Sequence, residues 1–110
     1  ATAMAAPDAY LVHQGAAAQR QAFLMAEALR SQGFAVQLHC GGGSFKAQMK
    51  RADASGATLA LILGEDEVAA AEVTVKTLRE GGTQQRVAVD RLPEVIGQLF
   101  FGREDEDGSL

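Results

Sequence analysis

The chain has no tryptophan, one tyrosine, five phenylalanines, two prolines and a single cysteine among its 110 residues. Each scarcity excludes something. One thiol, Cys40, allows neither an internal disulfide nor a multi-cysteine zinc site, which fits a reducing compartment and leads us to expect a cytoplasmic protein. Few aromatics leave little from which to build a base-stacking platform. No run approaches the roughly 18 consecutive apolar residues of a membrane span, and the opening ATAMAAP lacks the basic start of a secretory signal. Neither a membrane nor a DNA partner is expected. At this length the chain holds one domain of ordinary size and no large catalytic scaffold.

What is present is small and aliphatic. Hydrophobic residues make up 47% of the chain, and 21 of them are alanine. The formal charge is −4, but Arg103, Glu104, Asp105, Glu106 and Asp107 together carry −3 of it, leaving −1 on the remainder. Partner choice therefore depends on where charge sits. Composition divides the chain into a disordered N-terminal extension (1–7), a folded domain (8–102) and an acidic, self-repelling, flexible tail (103–110).

Periodicity sets the elements. AYLVH, from Ala9 to His13, is too short for a helix and reads as a strand stopped by Gly15. Ala18, Ala22, Met25, Ala26 and Leu29 then recur at three and four, predicting an amphipathic helix ended by Gly33. FAVQLH gives a second strand, followed by Gly41, Gly42 and Gly43. Ser44 caps a second helix with the stripe Phe45, Met49 and Ala52. TLALIL, from Thr58 to Leu63, is continuously apolar, as a central strand covered on both faces must be. An acidic turn, Glu65 to Glu67, leads through one helical turn into a fourth strand, Glu72 to Leu78, and Gln85 to Val89 forms a fifth. Asp90 is expected to cap a last helix with the stripe Leu92, Val95, Ile96 and Leu99, its Pro93 harmless in the first turn. Two successive βαβ crossovers, both right-handed, favour a parallel sheet, and if the first strand lies between the second and third the helices cover opposite faces. The expected fold is a three-layer α/β/α domain with a mixed five-stranded sheet and about three main helices.

Few residues speak for catalysis. GGGSFK, Gly41 to Lys46, opens a helix and could hold an anion on its free N–H groups, or serve only as a tight, closely packed turn. It lacks Walker A spacing, and no glycine cluster has the dinucleotide pattern. His13, His39 and Cys40 lie where an open α/β sheet binds ligands, yet HExxH and CxxC are both absent and no third residue orients a base. Half-covered strand ends explain them as well. The acids Glu65, Asp66 and Glu67 suit a helix dipole as readily as a cation.

The basic cluster is more informative. Lys46, Lys50 and Arg51 lie within six residues, the first two on one helix face at i, i+4, where like charges repel unless an anion intervenes. A solvated face is the plain alternative. Lys76, Arg79 and Arg86 gather around the fourth and fifth strands beside Gln84 and Gln85, side chains able to read the edges of unstacked RNA bases.

The runs DAYLV (Asp8 to Val12), GGGSFKAQMKRAD (Gly41 to Asp53), SGATLALILGEDEV (Ser55 to Val68) and EVTVKTLR (Glu72 to Arg79) closely resemble the C-terminal anticodon-binding domain of bacterial histidyl-tRNA synthetases, which are class II enzymes. The resemblance covers nearly all of Asp8 to Leu99. It implies the same mixed five-stranded sheet and a partner, the anticodon stem-loop of histidine tRNA. By position, Lys46 and Lys50, with Arg51 in the same basic cluster, would meet phosphates, while Glu65, Glu72, Lys76, Gln84, Gln85 and Arg86 would face anticodon bases. The parent would be a homodimeric histidine–tRNA ligase whose catalytic domain, the second expected partner, binds ATP, Mg and histidine. None of that domain's motifs occurs here, so no cofactor and no aminoacylation are expected of this chain alone. Ala69 to Ala71 depart from the Asn-Gly turn common in relatives, and the tail matches nothing in the family. Two other readings remain: a flavodoxin-like small-molecule or nucleotide sensor using the crevice near His13, Gly15 and Gly64, and a protein-interaction domain.

Overall fold

A computed structural model describes residues 6–79 and 82–108, with side chains through Phe101. Five strands form one sheet: β1 (Ala9–His13), β2 (Val36–Leu38), β3 (Leu59–Leu63), β4 (Glu72–Thr77) and β5 (Gln84–Ala88), in the order β2-β1-β3-β4-β5. β1 runs parallel to β2 and β3, while β3–β4 and β4–β5 are antiparallel. Helices α1 (Ala16–Ser31), α2 (Phe45–Ala54), the short α3 (Glu65–Ala70) and α4 (Leu92–Gly108) complete the expected α/β architecture.

Burial explains the layers. Alternate residues of a strand point to opposite faces, so Ala9 and Leu11 join Leu59, Leu61, Leu63, Val73 and Val75 in the larger core, under the Ala18, Ala22, Met25, Ala26 and Leu29 stripe of α1 and Leu92 and Ile96 of α4. Tyr10, Val12 and Ala60 face the other way and pack with Ala52, Phe45 and Met49 of α2. All five β1 residues are buried because helices cover both faces there. Each leucine removed from water in this way contributes about 2 kcal/mol.

Three expectations change. Asp90 caps no helix: Val89–Arg91 form a 3-10 turn and α4 begins at Leu92, with Pro93 in its first turn as expected. In α4 the inward residue near the end is Phe100, packed on the core and 6.0 Å from the Phe34 ring, while Leu99 is exposed. Phe100 continues the four-residue steps from Leu92 and Ile96, about 40° around the helix from Ile96, whereas Leu99 lies about 60° to its other side. Ala71, ending the alanine run that stands in place of Asn-Gly, takes the left-handed conformation at φ 56°, the lone non-glycine to do so among the described residues. A glycine-like turn thus persists without glycine. Of the expected loose ends, 1–5 and 109–110 lie outside the described residues, while the backbone of 103–108 continues α4 to Gly108 instead of leaving the domain at residue 102.

Candidate nucleic-acid interface

The site begins with the way α2 is seated. Gly41, Gly42 and Gly43 all have positive φ (101°, 68° and 99°), a path closed to ordinary side chains. It ends at Ser44, whose Oγ accepts the Ala47 N–H at 3.2 Å and starts the helix. Gln48, fully buried in the first turns of α2, then clamps the helix to β1. Its Oε1 accepts the His13 N–H at 2.9 Å, and its Nε2 donates to the carbonyls of His13 (2.7 Å) and Gly43 (2.8 Å). Sequence reading passes over Gln48, because one polar residue in an amphipathic helix looks solvent-facing. Its spacing from Phe45, Met49 and Ala52 was the available signal.

Seated in this way, α2 covers β1 and part of β3; on that side Glu67 of α3 covers Thr74, and the rest of β4 and β5 has no helix over it among the described residues. Cross-strand register puts Glu72, Thr74 and Lys76 of β4 on this face with Gln84, Arg86 and Ala88 of β5. Between α2 and β4 runs a groove of about 430 Å³, with Met49 and Leu78 among its lining and Lys46, Lys50 and Lys76 around it. Its one carboxylate among the described residues, Asp53, is held by Arg79, whose Nη1 lies 3.2 Å from Oδ1 and whose Nη2 donates to the Asp53 carbonyl at 3.0 Å. Among the described residues, none of the three lysines has an ion-pair partner.

Beyond the groove, Arg86 Nε sits 2.9 Å from Glu72 Oε1. Next to them Glu67 accepts the Thr74 hydroxyl (2.9 Å) and the Gly64 N–H (2.9 Å). Burial alone would push its carboxyl up, but these hydrogen bonds, its own N–H and the Arg86 guanidinium outweigh burial and hold it below the ordinary carboxylate value. Gly64 is required here by space: an added Cβ would lie 3.0 Å from Glu67 Oε1 and 3.3 Å from the Phe45 ring.

The structure thus gathers Lys46, Lys50, Lys76, Glu72, Gln84 and Arg86 and separates three others. Gln85 pairs with Val75 and points to the opposite face, where it lines a depression with Val95 and Leu99 of α4. Arg51 leaves α2 on the β1 side, near Tyr10, whose hydroxyl is pushed up by burial and partly restored by the Arg51 charge. Glu65 stands over the Gly15 crevice with Gln14, at the C-terminal edge of the parallel strands. One turn of strand or helix decides each case, and the expected grouping of Gln85, Arg51 and Glu65 with the rest does not hold geometrically.

The crevice residues are committed internally. His39 Nε2 contacts the Gly42 carbonyl at 2.6 Å and so carries the proton, which leaves Nδ1 to accept the Tyr10 hydroxyl at 2.9 Å; His13 Nε2 donates to the His39 carbonyl at 3.0 Å. Both imidazoles are buried. They hold the glycine loop in place, and no cluster of three or more His, Cys, Asp or Glu suited to a metal occurs among the described residues. No helix among the described residues is long and apolar enough to cross a membrane.

Comparison with known proteins agrees with this fold. The family model described as "Anticodon binding domain" matches residues 8–99. The histidine–tRNA ligase of Aromatoleum aromaticum is 61% identical over 107 residues, covering 96% of this chain and 24% of that protein. Apo histidyl-tRNA synthetase from S. aureus superposes with a TM-score of 0.75 at 28% identity, over 82% of this chain and 26% of the other. Histidyl-tRNA synthetase from Nostoc sp. PCC 7120 gives 0.79 at 25% identity, over 87% and 23%. The chain spans about a quarter of the length of these relatives. Neither the sensor nor the protein-interaction reading gains support from them. The chain belongs to the anticodon-binding domain family, and within that family it is similar to the domain carried by histidyl-tRNA synthetases.

Proposed function

We propose that this domain binds the anticodon stem-loop of histidine tRNA along the groove between α2 and β4, with phosphates tracked by Lys46, Lys50 and Lys76 and bases laid over the open face of β4 and β5. The observation that carries this reading is the set of three lysines without ion-pair partners among the described residues, around a groove whose one acid among those residues, Asp53, is already held by Arg79. Such a patch attracts a polyanion despite a net charge of −4, because local potential and not total charge governs docking at a Debye length of about 8 Å. With one tyrosine and five phenylalanines, stacking is a minor contribution; cation contacts and hydrogen bonding to splayed bases do the recognising.

In the longer polypeptide that its relatives exemplify, the domain would hold the anticodon while a separate catalytic domain, with ATP and Mg, charges the acceptor end in the cytoplasm. Phe23 and Leu24, exposed by 52% and 54% on the outward side of α1, offer that catalytic domain an apolar contact away from the RNA groove.

The deciding experiment titrates the chain with a synthetic hairpin carrying the histidine anticodon loop. Lys50→Glu is expected to weaken binding about tenfold or more with an unchanged thermal midpoint, and Lys46→Gln to lower the slope of log affinity against log salt by about one. Unaltered affinity in the Lys50→Glu protein removes α2 from the interface.

A further inference from the structure

Four arginines form ion pairs among the described residues, and one differs from the others. Arg30–Glu27 and Arg91–Glu94 are i, i+3 pairs on exposed helices, and Arg79 ties β4 to the end of α2. Arg86, on the edge strand β5, is paired across strands, its Nε 2.9 Å from Glu72 Oε1. Nη1 and Nη2 have no protein acceptor among the described residues. A guanidinium whose Nε lies against a carboxylate keeps a planar, two-pronged donor in its Nη groups.

We infer that Arg86 is a specificity-determining residue that reads the O6 and N7 acceptors of a guanine in the bound loop, and that Glu72 is the positioning residue that aims it. The inference rests on the RNA-binding reading above. Geometry favours a base over a phosphate. The guanidinium lies beside two carboxylates, Glu72 directly and Glu67 through the Thr74 bond two residues along the same face. Those charges repel an incoming phosphate and leave a neutral base edge unaffected. The lysine groove, with no free carboxylate in its lining, is the phosphate track; the Arg86–Glu72–Glu67 cluster is suited to a neutral ligand with paired acceptors. Bidentate arginine on O6 and N7 is the commonest specific contact to guanine. Gln84, two residues before Arg86 and opposite Lys76, lies on the same face to accompany the neighbouring nucleotide.

Glu72 makes the proposal testable because its two possible roles have opposite signs. As a mere counter-ion, it would weaken all RNA binding, so Glu72→Gln would tighten every hairpin equally. As the residue that aims Arg86, its loss erases discrimination.

The measurement compares hairpins in which each loop guanine is replaced in turn by adenine or by 7-deazaguanine, using the unmodified chain and the Arg86→Gln, Arg86→Lys and Glu72→Gln variants, each checked for an unchanged thermal midpoint. The unmodified chain is expected to lose about tenfold in affinity at one guanine position. All three variants should bring that ratio close to one, Arg86→Lys while keeping the salt dependence, because an ammonium lacks the fork. Equal weakening of all hairpins by Arg86→Gln, with a salt slope smaller by about one, would make Arg86 a phosphate contact and overturn the inference. So would Glu72→Gln tightening all hairpins with the ratio intact. If Lys50→Glu still weakens binding in these cases, the RNA-binding reading stands and only the role of Arg86 falls. If the unmodified chain binds no hairpin at all, both fall together.

Discussion

The two halves of the sheet are built to different specifications. In the parallel half, helices cover both faces of β1, every β1 side chain is buried, and polar groups such as Gln48, His13 and His39 are bonded inward. In the antiparallel half, β4 keeps Val73 and Val75 in the core on one side and presents Glu72 and Lys76 on the other, with Thr74 between them buried under Glu67. β5 is mostly exposed. The first half supplies stability, and the second supplies surface. An antiparallel hairpin needs no crossover helix, so nothing in the chain is obliged to cover its second face.

The contrast can be broken from either side. The largest effect belongs to the closed half: Leu61→Ala, at a fully buried position on the central strand, is expected to cost about 3–4 kcal/mol in denaturant unfolding, through lost burial and the cavity left behind. A loss below about 1 kcal/mol would mean the core is looser than described. Gln48→Leu comes next, at about 2–3 kcal/mol, since it strands the His13 N–H and two carbonyls. Because it also frees α2 from β1, it should weaken hairpin binding although Gln48 touches no RNA; full affinity in a destabilised protein would uncouple the two halves.

The smallest effect lies in the open half. The Glu67 carboxyl is held below its ordinary value, so its ionised form stabilises the fold at neutral pH, and that contribution disappears as pH falls through the depressed folded-state value. Glu67→Gln should lower stability by under about 1 kcal/mol at pH 7 and flatten the acid limb of the thermal midpoint against pH. An acid limb identical to that of the unmodified chain would show that Glu67 titrates the same way folded and unfolded.

Much of this was legible in the residues. Apolar period and glycine placement located all five strands and the three long helices, and GGGSFK with the downstream KRAD carried the family. The functional side chains were harder. Lys50 and Arg51 are neighbours in sequence and diverge by a third of a helical turn, whereas Lys76, far along the chain, comes to stand beside Lys50. Gln85 and Arg86 divide between faces, as strand alternation alone should have warned. The structural purpose of His13 and His39 was hidden because their partners are backbone carbonyls and a tyrosine, which no spacing motif records.

Local chemistry in the sequence determined the elements, their order, the crossover topology and the family, because periodicity, turn residues and chain connectivity act over short stretches. Which face stays uncovered, which cations share a groove, and which arginine stands on the open face of β5 were decided only by strand register and by the Gln48 clamp that seats α2, since those depend on contacts between residues dozens of positions apart.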